Sequence, residues 1–239
     1  MSFLLYIFFG VLPSFIWLLY YFKKDVHPES KTMVIRIFFY GMLIALPAIF
    51  LEQGLLTFLQ SVSWPKIILT FLSFFIAVAF VEEFLKYLIV QGQVIYHPEF
   101  DEPVDAMIYM IIAALGFAAA ENTLIMFSLG PTFLLGDVFL LSVIRFWGAT
   151  FLHALCSAVI GYFLALAIYN FKNKIIFIIS GLSLATLLHG LYNFSIMELQ
   201  SPLQWMIPVI ILISLAIFIT FAFKRLKKLK SVCKIYPVK

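Results

Sequence analysis

Seven apolar runs dominate this chain, at roughly residues 2–22, 33–51, 66–92, 105–128, 138–169, 174–195 and 206–223. A bilayer core about 30 Å thick is crossed by about 20 apolar residues in an α-helix, and only helices or closed barrels leave no backbone group unpaired in lipid. The runs are too long and too continuous for barrel strands, which alternate between lipid and lumen. The sequence therefore predicts an all-α, polytopic membrane protein of about seven transmembrane helices. Composition leaves no soluble alternative: 64% of the residues are hydrophobic and 12% are charged, where a soluble domain carries about 25% charged residues. The fifth run is long enough to tilt or to begin outside the lipid. The second holds Arg36 at its start and Pro47 inside it, and the stretch 52–65 after it is assigned to no span.

The basic residues orient these spans. The first run lacks a basic leader and a small-residue cleavage site, so it reads as an uncleaved first span rather than a signal peptide. With the N-terminus outside, Lys23, Lys24, Lys31, Arg36, Lys172, Lys174 and the tail residues Lys224, Arg225, Lys227, Lys228, Lys230, Lys234 and Lys239 all fall inside. That is 13 of the 16 Lys and Arg, as the positive-inside rule expects of a C-terminus in the cytoplasm. The acidic loop holding Glu99, Asp101, Glu102 and Asp105 also falls inside; acidic residues count little toward orientation, and Asp105 is placed to cap the fourth span. Residues 1–239 read as a single membrane domain, with the functional helices within about 66–195 and a basic tail at 224–239 that anchors to anionic lipid. The net charge of +4 reflects this flanking Lys and Arg, and nothing suggests nucleic-acid binding. Cys156 reads as a small buried hydrophobe and Cys233 as a reduced cytosolic thiol, so no disulfide is expected. Trp17, Trp64, Trp147 and Trp205 read as interfacial or packing aromatics.

A few polar residues remain inside the apolar runs: Glu82, Glu83 and Lys86; Glu121 and Asn122; Arg145 and His153; His189 and Asn193. Each lone charge at mid-bilayer costs about 2.5–3.5 kcal/mol on insertion scales, so these groups must face one another or a wet cavity. Counted from the inner span ends, Glu82, Glu121, His153 and His189 fall near one depth. Glu82 and Lys86 share a helix face at i, i+4, as do His189 and Asn193. Arg145, Ala149, His153, Ser157 and Gly161 form one small or polar stripe of the fifth span. Arg145 reads as structural or interfacial, paired with Asp137 or Glu52. The small residues around Gly116 allow close helix packing beside Glu121.

Adjacent carboxylates in a low dielectric cannot both ionise cheaply, and a lysine beside them favours one charge. This supplies a general base and a retained proton in one place, which is what activating a water requires. Two histidines can hold that water, polarise a carbonyl or bind a metal, and an Asn amide can donate toward an oxyanion. The set suits addition of water to an amide carbonyl, although a proton-coupled transporter uses similar residues. Two known intramembrane protease plans do not fit: no H-E-x-x-H is present, and the aspartate pair and G-x-G-D of presenilin-type enzymes are missing.

Glu82-Glu83-Phe84-Leu85-Lys86 resembles the E-E-x-x-K signature of the PrsW family of bacterial membrane proteases. Glu102-Pro103-Val104-Asp105-Ala106 with Gly116-Phe117-Ala118-Ala119-Ala120-Glu121-Asn122 resembles its second block. His153 with Gly161-Tyr162 is similar to the third, and His189-Gly190-Leu191-Tyr192-Asn193-Phe194 to the fourth. Ala106 and Asn193 stand where Gly and often Asp are expected; Asn193 instead matches the H-x-x-x-N of the related CAAX-endopeptidase superfamily. The resemblance implies a protease of the bacterial cytoplasmic membrane that makes the first cut, on the extracytoplasmic side, in a single-span anti-sigma factor. It implies Glu82 as general base with His153 sharing its water, Glu83 and Lys86 tuning and orienting it, and His189 with Asn193 at the scissile carbonyl. Glu121 would assist the water or a metal. Zinc held by His153, His189, Glu82 and Glu121 and a metal-free glutamate mechanism are both consistent with these residues. The competing functions are a proton-coupled transporter, which inverted repeats or broken helices at the site would favour, and a non-catalytic membrane scaffold, which a lost glutamate or histidine would favour.

Overall fold

The computed structural model describes residues 3–23, 30–130 and 134–229. Lys24, Lys230, Lys234, Lys239 and Cys233 lie outside the described residues. Long helices follow one another: α1 (Phe3–Phe22), α2 (Lys31–Gln60), α3 (Lys66–Gln93), α4 (Pro103–Ser128), α5 (Leu135–Trp147), α6 (Ala149–Tyr169), α7 (Lys174–Glu198) and α8 (Leu203–Leu226). Taking α5 and α6 together, seven spans among the described residues are long and apolar enough to cross a membrane.

Two boundaries differ from the apolar runs. Helix α2 continues nine residues past the run that ended at 51, because Glu52 and Gln53 lower the hydropathy without breaking the helix. At 30 residues it is about 45 Å long. The fifth run is two helices joined at Gly148, whose φ of −99° and ψ of −103° fit neither helix nor strand. The expected stripe is therefore interrupted: Arg145 belongs to α5, while Ala149, His153, Ser157 and Gly161 belong to α6.

Helices α4 and α6 form the centre and are almost wholly buried. Helices α1, α2 and α6 pack along α4, while α7 and α8 pack along α6. Small residues make this possible. A Cβ on Gly41 would fall 2.1 Å from the Ala113 carbonyl oxygen, and one on Gly116 would fall 2.0 Å from that of Phe38. Backbone thus meets backbone between α2 and α4, as small residues permit in membranes. Above that point Ala45 and Ala48 of α2 cluster with Phe117 of α4 and Val81 of α3.

The ends are fixed by polar contacts. Ser30 Oγ accepts from the Met33 amide at 3.2 Å and donates to Glu99 at 2.9 Å, tying the start of α2 to the loop before α4. Asp105 Oδ2 accepts from the amides of Asp101 (3.0 Å) and Glu102 (2.7 Å), the capping role expected of it. Trp17 stacks on Phe151 with ring centroids 4.2 Å apart and donates to the Phe146 carbonyl at 2.9 Å, pinning α1 to the α5–α6 corner. Trp64, Trp147 and Trp205 are exposed, and Cys156 is buried with a free thiol.

Candidate active site

The polar groups of four helices meet inside the bundle. Counted along their helices from Gln93, Pro103, Tyr169 and Lys174, the residues Glu82, Glu121, His153 and His189 lie about 16, 27, 24 and 22 Å from the loop end. They therefore share the middle of the bundle. Helix α3 brings its three charges there through a π-helical stretch, Leu72–Phe80, which ends two residues before Glu82. Wide turns of this kind recur at functional sites. Helix α7 approaches this stretch closely: a Cβ on Gly190 would fall 2.5 Å from Phe75 Cδ1. That approach carries His189, one residue away, up to Glu83.

Lys86 is fully buried at the hub. Its Nζ donates to Glu83 Oε1 at 2.9 Å, to Glu82 Oε2 at 3.1 Å and to His153 Nδ1 at 2.9 Å. It also lies 4.3 Å from the centre of the Phe117 ring, whose face favours a cation. An ammonium has only donors, so Nδ1 of His153 is the acceptor and its Nε2 carries the hydrogen. That hydrogen is donated to Glu121 Oε2 at 2.9 Å. His153 thus bridges Lys86 and Glu121 with both ring nitrogens engaged.

Glu83 is saturated. Its Oε1 also accepts from His189 Nδ1 at 3.0 Å, and its Oε2 accepts from Ser157 Oγ at 2.9 Å. With Nδ1 donating, His189 turns Nε2 away from Glu83, and no partner is described for that atom. The two imidazole rings stand nearly perpendicular, 5.0 Å apart. Glu82 is 4% exposed and is held through Oε2 alone; its Oε1 has no described partner. It is the least encumbered carboxylate beside the histidines.

Arg145 pairs with neither Asp137 nor Glu52. Its Nη2 lies 2.9 Å from Glu121 Oε2, and its Nε donates to Asn122 Oδ1. The break at Gly148 turns α5 so that Arg145 points back into the site. Asn122 is held in turn by Thr150, to whose Oγ1 its amide donates at 2.9 Å. Asn193 does not join the cluster: it is half-buried, with no hydrogen bond or ion pair described for it. Glu52, considered from the sequence only as a partner for Arg145, instead lies within electrostatic reach of Glu82, Glu121 and Lys86.

The donor set suits a divalent ion in kind and spacing, but three of its members here hold the Lys86 ammonium, which an ion would have to displace. Glu82, Glu83, His153 and His189 are buried and each offers a ligand atom, all within 4.8 Å of one another. Two imidazole nitrogens and carboxylate oxygens match the ligand preferences of zinc. Glu121, expected among these donors, lies on the opposite edge of the His153 ring, and Glu83 takes its place.

The family described as PrsW family intramembrane metalloprotease matches residues 29–222. The chain is 29% identical to Protease PrsW of Bacillus subtilis (strain 168) over 93% of its own length and 94% of that protein. It is 31% identical to Protease PrsW of Geobacillus kaustophilus over 77% of the chain and 76% of that protein. Identity to the Oceanobacillus iheyensis Protease PrsW is 30%, covering 85% and 88% respectively. No solved structure matches the chain. The chain thus belongs to the PrsW family of intramembrane metalloproteases and is a multi-pass protease of the cell membrane.

Proposed function

We propose that the buried cluster around Glu82 is the peptidase centre and that Glu82 activates the attacking water. The observation that carries this reading is the contrast among the site carboxylates. Glu83 is saturated by Lys86, His189 and Ser157, and Glu121 is held by Arg145 and His153, whereas Glu82 keeps one oxygen without a described partner. A general base must reach the water it deprotonates, and Glu82 Oε1 has the freedom to do so. Lys86 holds Glu82 in position, while Glu83 fixes the ring of His189.

The reaction follows from these positions. Glu82 takes a proton from water as the water oxygen adds to the scissile carbonyl carbon. In a reaction without a bound ion, His189 in its imidazolium form would donate from Nε2 to the oxygen that gains charge, the role of an oxyanion donor; with an ion bound, that nitrogen would be a ligand instead. As the C–N bond breaks, the proton held by Glu82 passes to the leaving amine. A divalent ion, if bound, would be held by His153 and His189 with the Glu82 and Glu83 carboxylates and would supply Lewis-acid polarisation of the carbonyl or water. Asn193 remains an oxyanion donor only if substrate binding draws it inward.

The substrate proposed is a single-span membrane protein, specifically an anti-sigma factor, as the resemblance of the four sequence blocks implies. The experiment is reconstitution of the purified protein in liposomes with a single-span anti-sigma factor, with bound zinc quantified on the same sample. Cleavage near the outer membrane face, with near-stoichiometric zinc and loss of activity on chelation, supports the reading with its ion. Cleavage that survives chelation in zinc-free protein assigns the chemistry to Glu82 without the ion. Absence of cleavage of any single-span substrate overturns the proposal.

A further inference from the structure

Helices α3 and α7 pack antiparallel, and beyond their close approach at Phe75 and Gly190 they leave a cleft of about 610 Å³. From that approach α3 extends nine residues back to Lys66 and α7 eight residues on to Glu198, about 12–14 Å in each case. Ile67, Thr70, Phe71 and Phe75 form the α3 wall, and Leu191 and Phe194 form the α7 wall. Phe71 stacks on Phe75 with ring centroids 4.6 Å apart, and Phe194 meets Phe74 edge-on at 6.0 Å. Lys66 and Glu198 line the mouth; both are exposed, and no ion pair joins them among the described residues.

Two observations give this cleft a direction. Its mouth is polar and lies just after the exposed Trp64, at the level where aromatic residues mark a membrane surface, while its inner end rests on Gly190, the neighbour of His189. Its α3 wall is also unsupported: no residue of Lys66–Phe71 is buried, whereas Glu82, Glu83 and Lys86 further along the same helix all are. With the N-terminus outside, the mouth opens on the outer face. A bond cut on the extracytoplasmic flank of a single span starts near that surface, and the reacting cluster lies about 12 Å below it, so the flank must enter the protein. An extended chain covers that depth in about four residues, with alternate side chains turned to one wall. Its backbone needs hydrogen-bond partners on the way in, which the polar mouth and the headgroup region supply, and its side chains meet apolar walls.

We propose that the cleft between the outer halves of α3 and α7 is the substrate-binding groove, and that it selects substrates with apolar side chains in the few positions between the scissile bond and the outer membrane surface. This rests on the Glu82 cluster being the peptidase centre and adds where the substrate chain lies and which side chains it carries. Thr70 is the specificity-determining position: its small side chain leaves room in the α3 wall for a branched aliphatic residue of the substrate. Lys66 and Glu198 bound the groove where the chain turns out toward the substrate's extracytoplasmic domain.

The test uses the full-length protein in liposomes and synthetic single-span substrates in which each flank position next to the cut is Ala or Leu in turn. Wild type is compared with Thr70→Trp, which fills the groove, with Ile213→Trp on the exposed face of α8, and with Glu82→Gln. At one or two flank positions wild type should cleave the Leu substrate with a kcat/KM about ten-fold above the Ala substrate, as side-chain burial in an apolar pocket allows. Thr70→Trp should lose that preference, cleaving the Leu substrate about ten-fold more slowly than wild type does and the Ala substrate at nearly the wild-type rate. Ile213→Trp should keep the preference. A second measurement places Cys at Ile67 in protein carrying Cys233→Ser and seeks a disulfide with single-Cys substrates; flank positions should cross-link and positions in the inner half of the substrate's span should not. The proposal is overturned if wild type shows no flank preference, if Thr70→Trp keeps it, if Thr70→Trp slows every substrate equally, if Ile213→Trp abolishes it, or if flank and inner positions cross-link alike. Full activity in Glu82→Gln overturns it by a separate route, by removing the peptidase centre to which the groove leads.

Discussion

Three hydrogens on Lys86 Nζ meet three acceptors, Glu82 Oε2, Glu83 Oε1 and His153 Nδ1, and the arrangement of the other side chains follows from that match. Replacing Lys86 by Met leaves two buried carboxylates without their cation, and breaking a buried pair from one side costs about 3–5 kcal/mol. Lys86→Met is therefore expected to lower the unfolding midpoint sharply, and adding Glu83→Gln should recover part of that loss. A double variant no more stable than the single would show that Glu83 is not held by Lys86. This cluster was legible in the sequence because charges are so costly inside apolar runs that Glu82, Glu83, Lys86, Glu121, His153 and His189 had to meet. What the sequence could not show was who holds whom. The Arg145–Glu121 pair depends on a helix break, and Asn193, though i, i+4 to His189, lies one turn further along α7 and outside the cluster. Glu52 fell at the end of an apolar run, and only the continuation of α2 past it shows that it stays near the cluster.

Helix α7 reaches the site through a single close approach, Gly190 against Phe75 in the π-helical stretch of α3. Gly190→Val is expected to push the two helices apart and separate His189 from Glu83, lowering the cleavage rate at least ten-fold as a slight misplacement of a reacting group can. Phe75→Ala in the same protein makes room for the new side chain and should restore part of the rate. Rate measurements on the single and double variants check this, and an unchanged Gly190→Val rate would contradict it. The apolar spacing identified the spans but neither the π-helical stretch nor the break at Gly148. Hydropathy is continuous through the π-helical stretch, and no proline marks either one. Similarly, the end of α2 was hidden because Glu52 and Gln53 interrupt the apolar run while the helix persists.

At the scale of the whole molecule, thirteen of sixteen basic residues fall on one side when the N-terminus is placed outside. Fusions of a reporter active only in the cytoplasm are expected to work at the C-terminus and to fail at the N-terminus; the reverse pattern would invert the topology and the face of the membrane from which the substrate is cut. The seven-span architecture was readable from segment length alone, since lipid allows few alternatives to helices of that length. The central account, that Glu82 deprotonates the attacking water in a protease whose other site carboxylates are structural, is tested most directly by one rate. Glu82→Gln preserves the size of the side chain and its hydrogen bonding to Lys86 in part, yet cannot accept the proton, and general-base removal costs about 10²–10⁴-fold. Measured on a reconstituted single-span substrate that the variant still binds, its cleavage rate should fall by at least a hundred-fold; cleavage at the wild-type rate would contradict the account.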